Sequence, residues 1–96
     1  MDEIELELSK RGIKRGGTYL LSPSDALDVV KRCRELNIRI LGIDAFKLTD
    51  HTTQPVLEHS VDFSLTQDTG KGSWFEAETF IKERFHLGLM FEIVCE

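Results

Sequence analysis

The longest apolar run in the chain is the stretch from Ile38 to Lys47, which contains only scattered polar residues. Successive side chains of a strand point to opposite faces, and here both alternating sets are mainly apolar. The pattern therefore predicts a central strand over 38–47 with both faces covered. Ile38 and Ile40 fall on one face and Ile43 on the other. Asp44 shares the face of Ile38, where we expect a structural acid that caps or anchors the following loop.

Two further segments show strand patterns. Apolar side chains and His59 occupy every second position from 57 to 65, with polar side chains between them. This alternation predicts a strand over 57–65 with one covered face and one wet face. The run from Leu89 to Cys95 predicts a closing strand over 89–95. Residues 49–55 carry turn formers and end in Pro55, so they predict an exposed loop.

The clearest helix signal lies before the central strand. Ser22 as N-cap, Pro23 at the first helical position and Asp25 at the third stand in the order that opens a helix. An apolar stripe continues to Leu36, which predicts a helix over 22–36. Asn37 can then adopt the left-handed conformation that ends a helix.

A second helix is predicted over 73–87. Ser73 and Glu76 have the spacing of a capping box, in which each side chain satisfies a free backbone amide at the helix start. Apolar residues then follow at helical spacing, and Gly88 can terminate the helix. The stripe contains Trp74, Ala77, Phe80, Ile81 and Phe85.

The first eleven residues allow two interpretations. Apolar and acidic residues alternate as in a strand, yet acids at the start and bases at the end are typical of a helix. We favour a short helix over 1–11, with Gly12 as a left-handed cap and Ile13 as its apolar contact. Gly16-Gly17 then breaks the chain, and 18–21 is a short connector or strand.

Together these elements predict a two-layer α+β fold, in which helices pack on a small, mainly antiparallel sheet. The length of 96 residues fits a single domain over 1–96. No apolar run reaches the roughly 18 residues that a membrane-spanning helix needs. The acidic N-terminus lacks the cationic, apolar pattern of a secretory leader, so we expect a cytoplasmic protein.

Charge is unevenly distributed along the chain. Residues 1–48 carry nine Lys and Arg against eight Asp and Glu, whereas residues 49–96 carry three against nine, a net charge of −6. Phosphate backbones are bound through clustered Lys and Arg, so an acidic half of this size disfavours nucleic acid as a partner. A basic protein partner fits this charge better.

Residue types with catalytic or metal-binding chemistry are few and scattered. His51, His59 and His86 lack the spacing of a helical metal site. We interpret them as a solvated loop residue, a core-edge residue with one hydrogen bond and a helix-end residue, respectively. Cys33 and Cys95 are expected to be reduced, with Cys33 in the core. No nucleophile motif or phosphate loop is present, so we expect no cofactor, no metal and no enzymatic activity.

In residues 20–48 a helix containing Ala26-Leu27 follows a Ser-Pro-Ser start and leads into Ile38-Arg-Ile-Leu-Gly-Ile-Asp44. This segment resembles the small immunity proteins of bacterial polymorphic toxin and contact-dependent growth inhibition systems, one family of which has a similar Ile-Leu-Gly-Gly-Asp strand. A late helix before a closing strand is shared in outline. The resemblance implies a cytosolic, non-enzymatic inhibitor that binds one cognate toxin domain.

An acidic inhibitor would gain long-range steering toward a basic, nuclease-type toxin. We therefore expect the interface in the acidic half, at Glu58, Asp62, Asp68, Trp74, Glu76 and Glu78. Trp74 itself has two possible roles, core packing or an exposed aromatic anchor. Two other functions stay open: a small ligand-binding or regulatory α+β domain, and a minor hydrolase.

Overall fold

The computed structural model describes residues 3–49, 52–63 and 71–95, with side chains from residue 74 onward in the last range. The described strands form a two-stranded sheet and a four-stranded sheet, and all strand pairs in both are antiparallel. In chain order they are α1 (Glu3–Arg11), β1 (Ile13–Arg15), β2 (Thr18–Leu20), α2 (Pro23–Glu35), β3 (Ile40–Leu48), β4 (Thr53–Pro55), a 3₁₀ turn (Leu57–His59), β5 (Val61–Asp62), α3 (Lys71–Glu83) and β6 (Met90–Cys95).

The β3 strand is the centre of the main sheet, as predicted. One edge of β3 pairs with β6, and the other pairs with β4 and then β5. Ile43 lies opposite both Ile93 and Val61, so the middle of β3 is enclosed by strands on two sides. The predicted two-layer α+β fold is therefore confirmed, with α2 and α3 packed together on one face of this sheet.

A bulge changes which residues of β3 share a face. Ile40 lies opposite Cys95 and Gly42 opposite Val94, so β3 has one residue more than β6 in this stretch. An extra residue shifts the alternation by one position. Ile40 and Ile43 are consequently both fully buried in the same core cluster. The prediction that these two isoleucines lie on opposite faces is wrong, because a prediction from strictly alternating side chains takes no account of a bulge.

Both predicted ends of α2 are confirmed. The Ser22 hydroxyl accepts a hydrogen bond from the Asp25 amide at 3.2 Å, and Pro23 occupies the first turn. At the other end Asn37 has a φ of 58°, and the Ile38 amide donates to the Cys33 carbonyl at 2.8 Å. This left-handed residue with its closing hydrogen bond is a Schellman motif. It turns the chain from α2 directly into β3.

The N-terminal segment forms a helix, the interpretation that the end charges favour. Gly12, however, is not its left-handed cap, since the positive-φ residues are elsewhere in the chain. A Cβ atom at Gly12 would lie 2.9 Å from the Cβ of Tyr19, so glycine is needed there for close packing. Ile13 begins β1 and is largely exposed, so it does not make the predicted cap contact. Gly16, with a φ of 63°, turns the chain between β1 and β2.

The Arg11 side chain holds α1 against α2. Its guanidinium contacts Glu7 on its own helix at 2.8 Å and reaches Asp25 at 3.1 Å and Asp28 at 2.9 Å on α2. All four side chains are partly exposed, so each ion pair contributes little by itself. Their shared guanidinium nevertheless fixes how the two helices meet. The hairpin of β1 and β2 joins the sheet nearby through paired hydrogen bonds between Leu21 and Phe91.

The strand predicted over 57–65 is mostly wrong. Residues 57–59 form a 3₁₀ turn, only Val61–Asp62 pairs as strand, and residues 64–65 lie outside the described part of the chain. Leu57, predicted to lie on the covered face, is 82% exposed. Conversely, β4 forms at 53–55 within the predicted loop. The chain therefore runs along the β3 edge in two pieces, β4 and β5, with the 3₁₀ turn bulging out between them.

The Ser60 hydroxyl repairs the gap that this turn leaves in the sheet. It accepts a hydrogen bond from the Ala45 amide and donates one to the Val56 carbonyl, each at 3.1 Å. A side chain thus takes the place of a strand backbone beside β3. Gly42 allows β5 to close in next to this point, because a Cβ atom there would lie 2.8 Å from the Val61 carbonyl oxygen.

The α3 helix begins and ends earlier than predicted. It already includes Lys71 and Gly72, so Ser73 lies in its first turn and the predicted capping box is wrong. The helix ends at Glu83, because residues 84–88 form tight turns and Gly88 has a φ of 72°. Ala77 and Ile81 of the predicted stripe are fully buried. The closing strand is confirmed as β6, whose Phe91 is fully buried beneath α3.

Trp74 joins α3 to the start of the sheet. Its ring packs against the core, and its indole Nε1 donates to the Ile38 carbonyl at 2.8 Å. A buried aromatic ring whose polar edge finds a partner is a stable arrangement. Core packing, one of the two predicted roles, is therefore what Trp74 does in the folded chain.

The Ser60 bridge leads to a stability prediction. Ser60→Ala leaves the Ala45 amide and the Val56 carbonyl without that partner in a half-buried position, so we expect a loss of about 1 to 3 kcal/mol. Ser9→Ala is the matched control, since the Ser9 hydroxyl bonds to a carbonyl on an exposed helix surface. Urea unfolding of both variants measures the difference. Equal unfolding midpoints for Ser60→Ala and wild type would show that the hydroxyl does not support the sheet.

Candidate functional site

A groove runs between α3 and the edge of the sheet at β5, with a volume of about 320 Å³. Phe63 at its inner end is buried in the core, whereas Phe75 at its outer side leaves 72% of its surface exposed. The groove thus has a fixed apolar base and an exposed aromatic ring. We call it the α3–β5 groove, and its lining residues are Val61, Phe63, Phe75, Glu76, Thr79, Phe80, Glu83 and Arg84.

Helical spacing places two carboxylates along this groove. Glu76, Thr79 and Glu83 lie three and seven residues apart, which puts them on one face of α3. At 1.5 Å per residue the two glutamates are about 10 Å apart along the helix axis. Both are exposed. The groove is therefore apolar inside, with an acidic side formed by α3.

Arg84 holds one end of the groove in place. Its Nε donates to the His59 Nδ1 at 3.2 Å, and its Nη1 donates to the Phe80 carbonyl at 3.1 Å. The guanidinium carbon also lies 3.8 Å from the centre of the Phe80 ring, in a cation–π contact. These contacts fasten the 3₁₀ turn to the end of α3. His59 is the half-buried histidine with a hydrogen bond that the sequence predicts.

The residues predicted to bind a partner lie on several surfaces. Glu76 lines the α3–β5 groove, Glu58 is exposed on the neighbouring 3₁₀ turn, and Asp62 is exposed on the edge strand β5. Asp62 lies opposite Gly42, on the face of the sheet that points away from α3. Asp68 lies outside the described residues.

Trp74 and Glu78 lie on the other side of α3. They line a larger groove between α2 and α3, with a volume of about 750 Å³, together with Lys31 and Arg34. Lys82 donates to Glu78 at 2.6 Å, and this hydrogen bond holds the pKa of the Glu78 carboxyl below its ordinary value. Glu78 is thus already paired within its own helix.

Phe75 and Glu83 are groove residues that sequence reasoning missed. Phe75 lies outside the apolar stripe of α3, and an apolar residue off the stripe is a usable signal for an exposed contact. Glu83 shares the Glu76 face at i+7, which the sequence also contains. Neither signal could identify a groove, because the opposing wall comes from β5 and the predicted strand there had the wrong boundaries.

Asp44 faces a second acid across the sheet. It lies directly opposite Glu92 of β6, on the face away from the helices. Burial raises the pKa of the Glu92 carboxyl, a hydrogen bond from Thr18 partly lowers it, and the neighbouring Asp44 raises it again. Like charges directly opposite each other destabilise a sheet. Asp44 therefore lies beside β6 and the β1–β2 hairpin. The loop that Asp44 is predicted to cap or anchor is only partly within the described residues, so this role stays a prediction.

Histidines and cysteines do not assemble a metal site in the described part of the chain, where no group of three or more His, Cys, Asp or Glu is suitably placed. His51 lies outside the described residues. His86 is exposed three residues beyond the end of α3, so its predicted role at the helix end is wrong. No described helix is long and apolar enough to cross a membrane.

Comparisons with known proteins give no matching family model and no significant match to a curated sequence. A proposal for the function therefore rests on the geometry of the two grooves and on the resemblance in residues 20–48.

The Asp44–Glu92 pair leads to a pH-dependent prediction. A carboxyl whose pKa is raised by folding costs stability when ionised, and the cost disappears as the pH falls through its folded pKa. Glu92→Gln should therefore stabilise the protein at pH 7 by roughly 0.2 to 1 kcal/mol, the size of a cross-strand pair. The gain should vanish near pH 4. Thermal unfolding at several pH values measures it, with Glu58→Gln, at an exposed position, as control. A gain in stability that persists unchanged at pH 4 would show that it does not come from removing the ionised Glu92 carboxylate.

Proposed function

We propose that this chain is an immunity protein that binds and neutralises a cognate, basic toxin domain, and that the α3–β5 groove is its contact surface. The observation that carries the proposal is Phe75, 72% exposed beside a groove with two glutamates along one wall. Exposed aromatic residues next to apolar pockets are typical anchors of protein interfaces. The resemblance of residues 20–48 to immunity proteins supplies the class of partner.

Charge supports a basic partner. The chain carries a net charge of −5, and the half that contains the groove carries the excess of acids. Glu76 and Glu83 can accept hydrogen bonds from Lys or Arg side chains, and the Phe75 ring can stack on a guanidinium. A nuclease-type toxin presents such side chains where it holds phosphates. The inhibitor would then cover that surface without any chemical step of its own.

A second candidate function is a small ligand-binding domain, favoured by the larger groove between α2 and α3. Its 750 Å³ lies within the range of about 300 to 1,000 Å³ that ligand pockets occupy. Lys31 and Arg34 on α2 would suit an anionic ligand, and Trp74 and Phe75 would supply aromatic surface. Screening a metabolite library by thermal shift tests this alternative. If it is correct, a specific ligand should raise the melting temperature of the protein.

Co-purification with the product of the adjacent upstream gene tests the proposed function first. The tagged chain should retain this protein through washing, and adding the chain should abolish the toxicity or nuclease activity of the partner's toxin domain. A neighbouring gene product that neither binds nor is inhibited would leave the proposal without a partner and favour the ligand-binding domain.

The acids should act mainly on the rate of association. Electrostatic steering raises the association rate constant from about 10⁵–10⁶ to as much as 10⁸–10⁹ per molar per second, and salt weakens this steering. Replacing Glu58, Glu76 and Glu83 together by glutamine should slow association at low salt by tenfold or more and flatten its salt dependence. Surface plasmon resonance at two ionic strengths measures both effects.

The control for this triple variant replaces Lys10 and Lys47 by glutamine, because both are exposed and neither lies on α3. Arg11 is unsuitable as a control, since its ion pairs hold α1 on α2. If the triple glutamine variant associates as fast as wild type at low salt, the proposal that this surface steers association electrostatically is wrong.

Phe75 should act on dissociation instead. Phe75→Ala removes an aromatic anchor, and such residues commonly contribute 2 kcal/mol or more to an interface. We expect dissociation to be about 30-fold faster, with folding stability nearly unchanged because the ring is exposed. Leu6→Ala, on the exposed surface of α1, is the control. Unchanged dissociation of Phe75→Ala would place the contact elsewhere on the molecule.

A further inference from the structure

The two cysteines of the chain meet where α2 and β6 end. Cys33 lies in the last turns of α2 and is fully buried, and Cys95 is the last residue of β6. The Schellman motif places Ile38, two residues before β3, next to the Cys33 carbonyl, and Cys95 lies opposite Ile40 at the start of β3. Two residues 62 positions apart in sequence are thereby brought together by one corner of the fold.

The two thiols lie close together. Cys95 packs against the core cluster that contains Cys33, and hydrogen bonding from the Cys95 side chain raises the pKa of the Cys33 thiol. Both cysteines are in the thiol form, Cys33 buried and Cys95 half-buried. This arrangement differs from that of an isolated core cysteine, because a second cysteine packs against the same cluster.

We propose that Cys33 and Cys95 form a modification site, at which a small-molecule disulfide oxidises the pair to an intramolecular disulfide joining α2 to β6. This inference does not depend on the proposed function. The resting state is the dithiol, as the sequence predicts for a reducing compartment, and the crosslinked state appears only under oxidation.

The reaction proceeds by two thiol–disulfide exchanges. The Cys95 thiolate attacks one sulfur of the oxidant, forming a mixed disulfide and releasing one thiol. The Cys33 thiolate then attacks the Cys95 sulfur, which breaks the mixed disulfide and releases the second thiol. Overall the two protein thiols lose two electrons and two protons, and one oxidant disulfide is reduced to two thiols.

Accessibility sets the order of the two steps. Cys95 is half-buried and can meet the oxidant, whereas Cys33 is closed to solvent. The hydrogen bond to Cys95 and burial both raise the pKa of the Cys33 thiol. Since the thiolate is the nucleophile, the second step should be slow near neutral pH and faster in alkali. Because both cysteines lie at one corner of the fold, closure of the disulfide is nevertheless intramolecular.

Closing the disulfide should stabilise the fold. The crosslink would enclose most of the C-terminal two thirds of the chain, and a loop of that length restricts the unfolded state strongly. It would also hold β6 in place, the strand that pairs with one edge of β3. We expect the melting temperature to rise by roughly 5 °C or more.

Oxidised glutathione with the folded, full-length chain at pH 8 tests the proposal. Intact-mass analysis under non-reducing conditions should show a monomer lighter by the two hydrogens lost, without a glutathione adduct. Its melting temperature should be raised, and dithiothreitol should reverse both changes. In Cys33→Ala the reaction should stop at a glutathione adduct on Cys95, and Cys95→Ser should not react at all.

Three outcomes would overturn the proposal. They are a wild-type chain that stays reduced, one that stops at the glutathione adduct, and one that forms only disulfide-linked dimers. Should Cys33→Ala fail to fold, peptide mapping of the oxidised wild type decides the matter, because it must recover a peptide in which Cys33 and Cys95 are joined.

Discussion

The structure depends on the hydrogen bonding of β3 along both of its edges. Buried backbone amides and carbonyls must find partners, and β3 is flanked on one side by β6 and on the other by β4 and β5. Where the 3₁₀ turn interrupts the second edge, the Ser60 hydroxyl supplies the missing partner for Ala45. The helices then cover the face of this sheet that carries Ile43, Ile93 and the other core residues.

The candidate site results from the same interruption. Because the edge strand breaks at the 3₁₀ turn, His59 can accept a hydrogen bond from Arg84 at the end of α3. That contact holds the turn beside the helix and closes one end of the α3–β5 groove. The groove therefore depends on the break in the edge strand. His59 and Arg84 hold it in place, whereas the exposed Phe75, Glu76 and Glu83 would contact a partner.

Sequence reasoning succeeded where local chemistry decides the structure. Ser22, Pro23 and Asn37 carry the start and stop signals of α2 in their own side chains or rings, and the 38–47 run is too apolar to lie elsewhere than in the core. It failed where a distant residue decides. The bulge after Ile40 depends on the register with β6, and the break at 57–59 depends on Ser60 satisfying β3. Of the α3–β5 groove, the sequence therefore predicts only Glu76, whereas Phe75, Glu83 and the opposing wall were missed.

The α3–β5 groove is the proposed contact with the partner, and hydrogen exchange of the free and bound chain tests this role most directly. Exchange followed by mass spectrometry reports protection along the whole backbone without any substitution. We expect slower exchange on binding in peptides covering 57–63 and 74–84, with α1 and the β1–β2 hairpin unchanged. Protection confined to α1 and the hairpin, with no change along α3, would contradict the proposed contact.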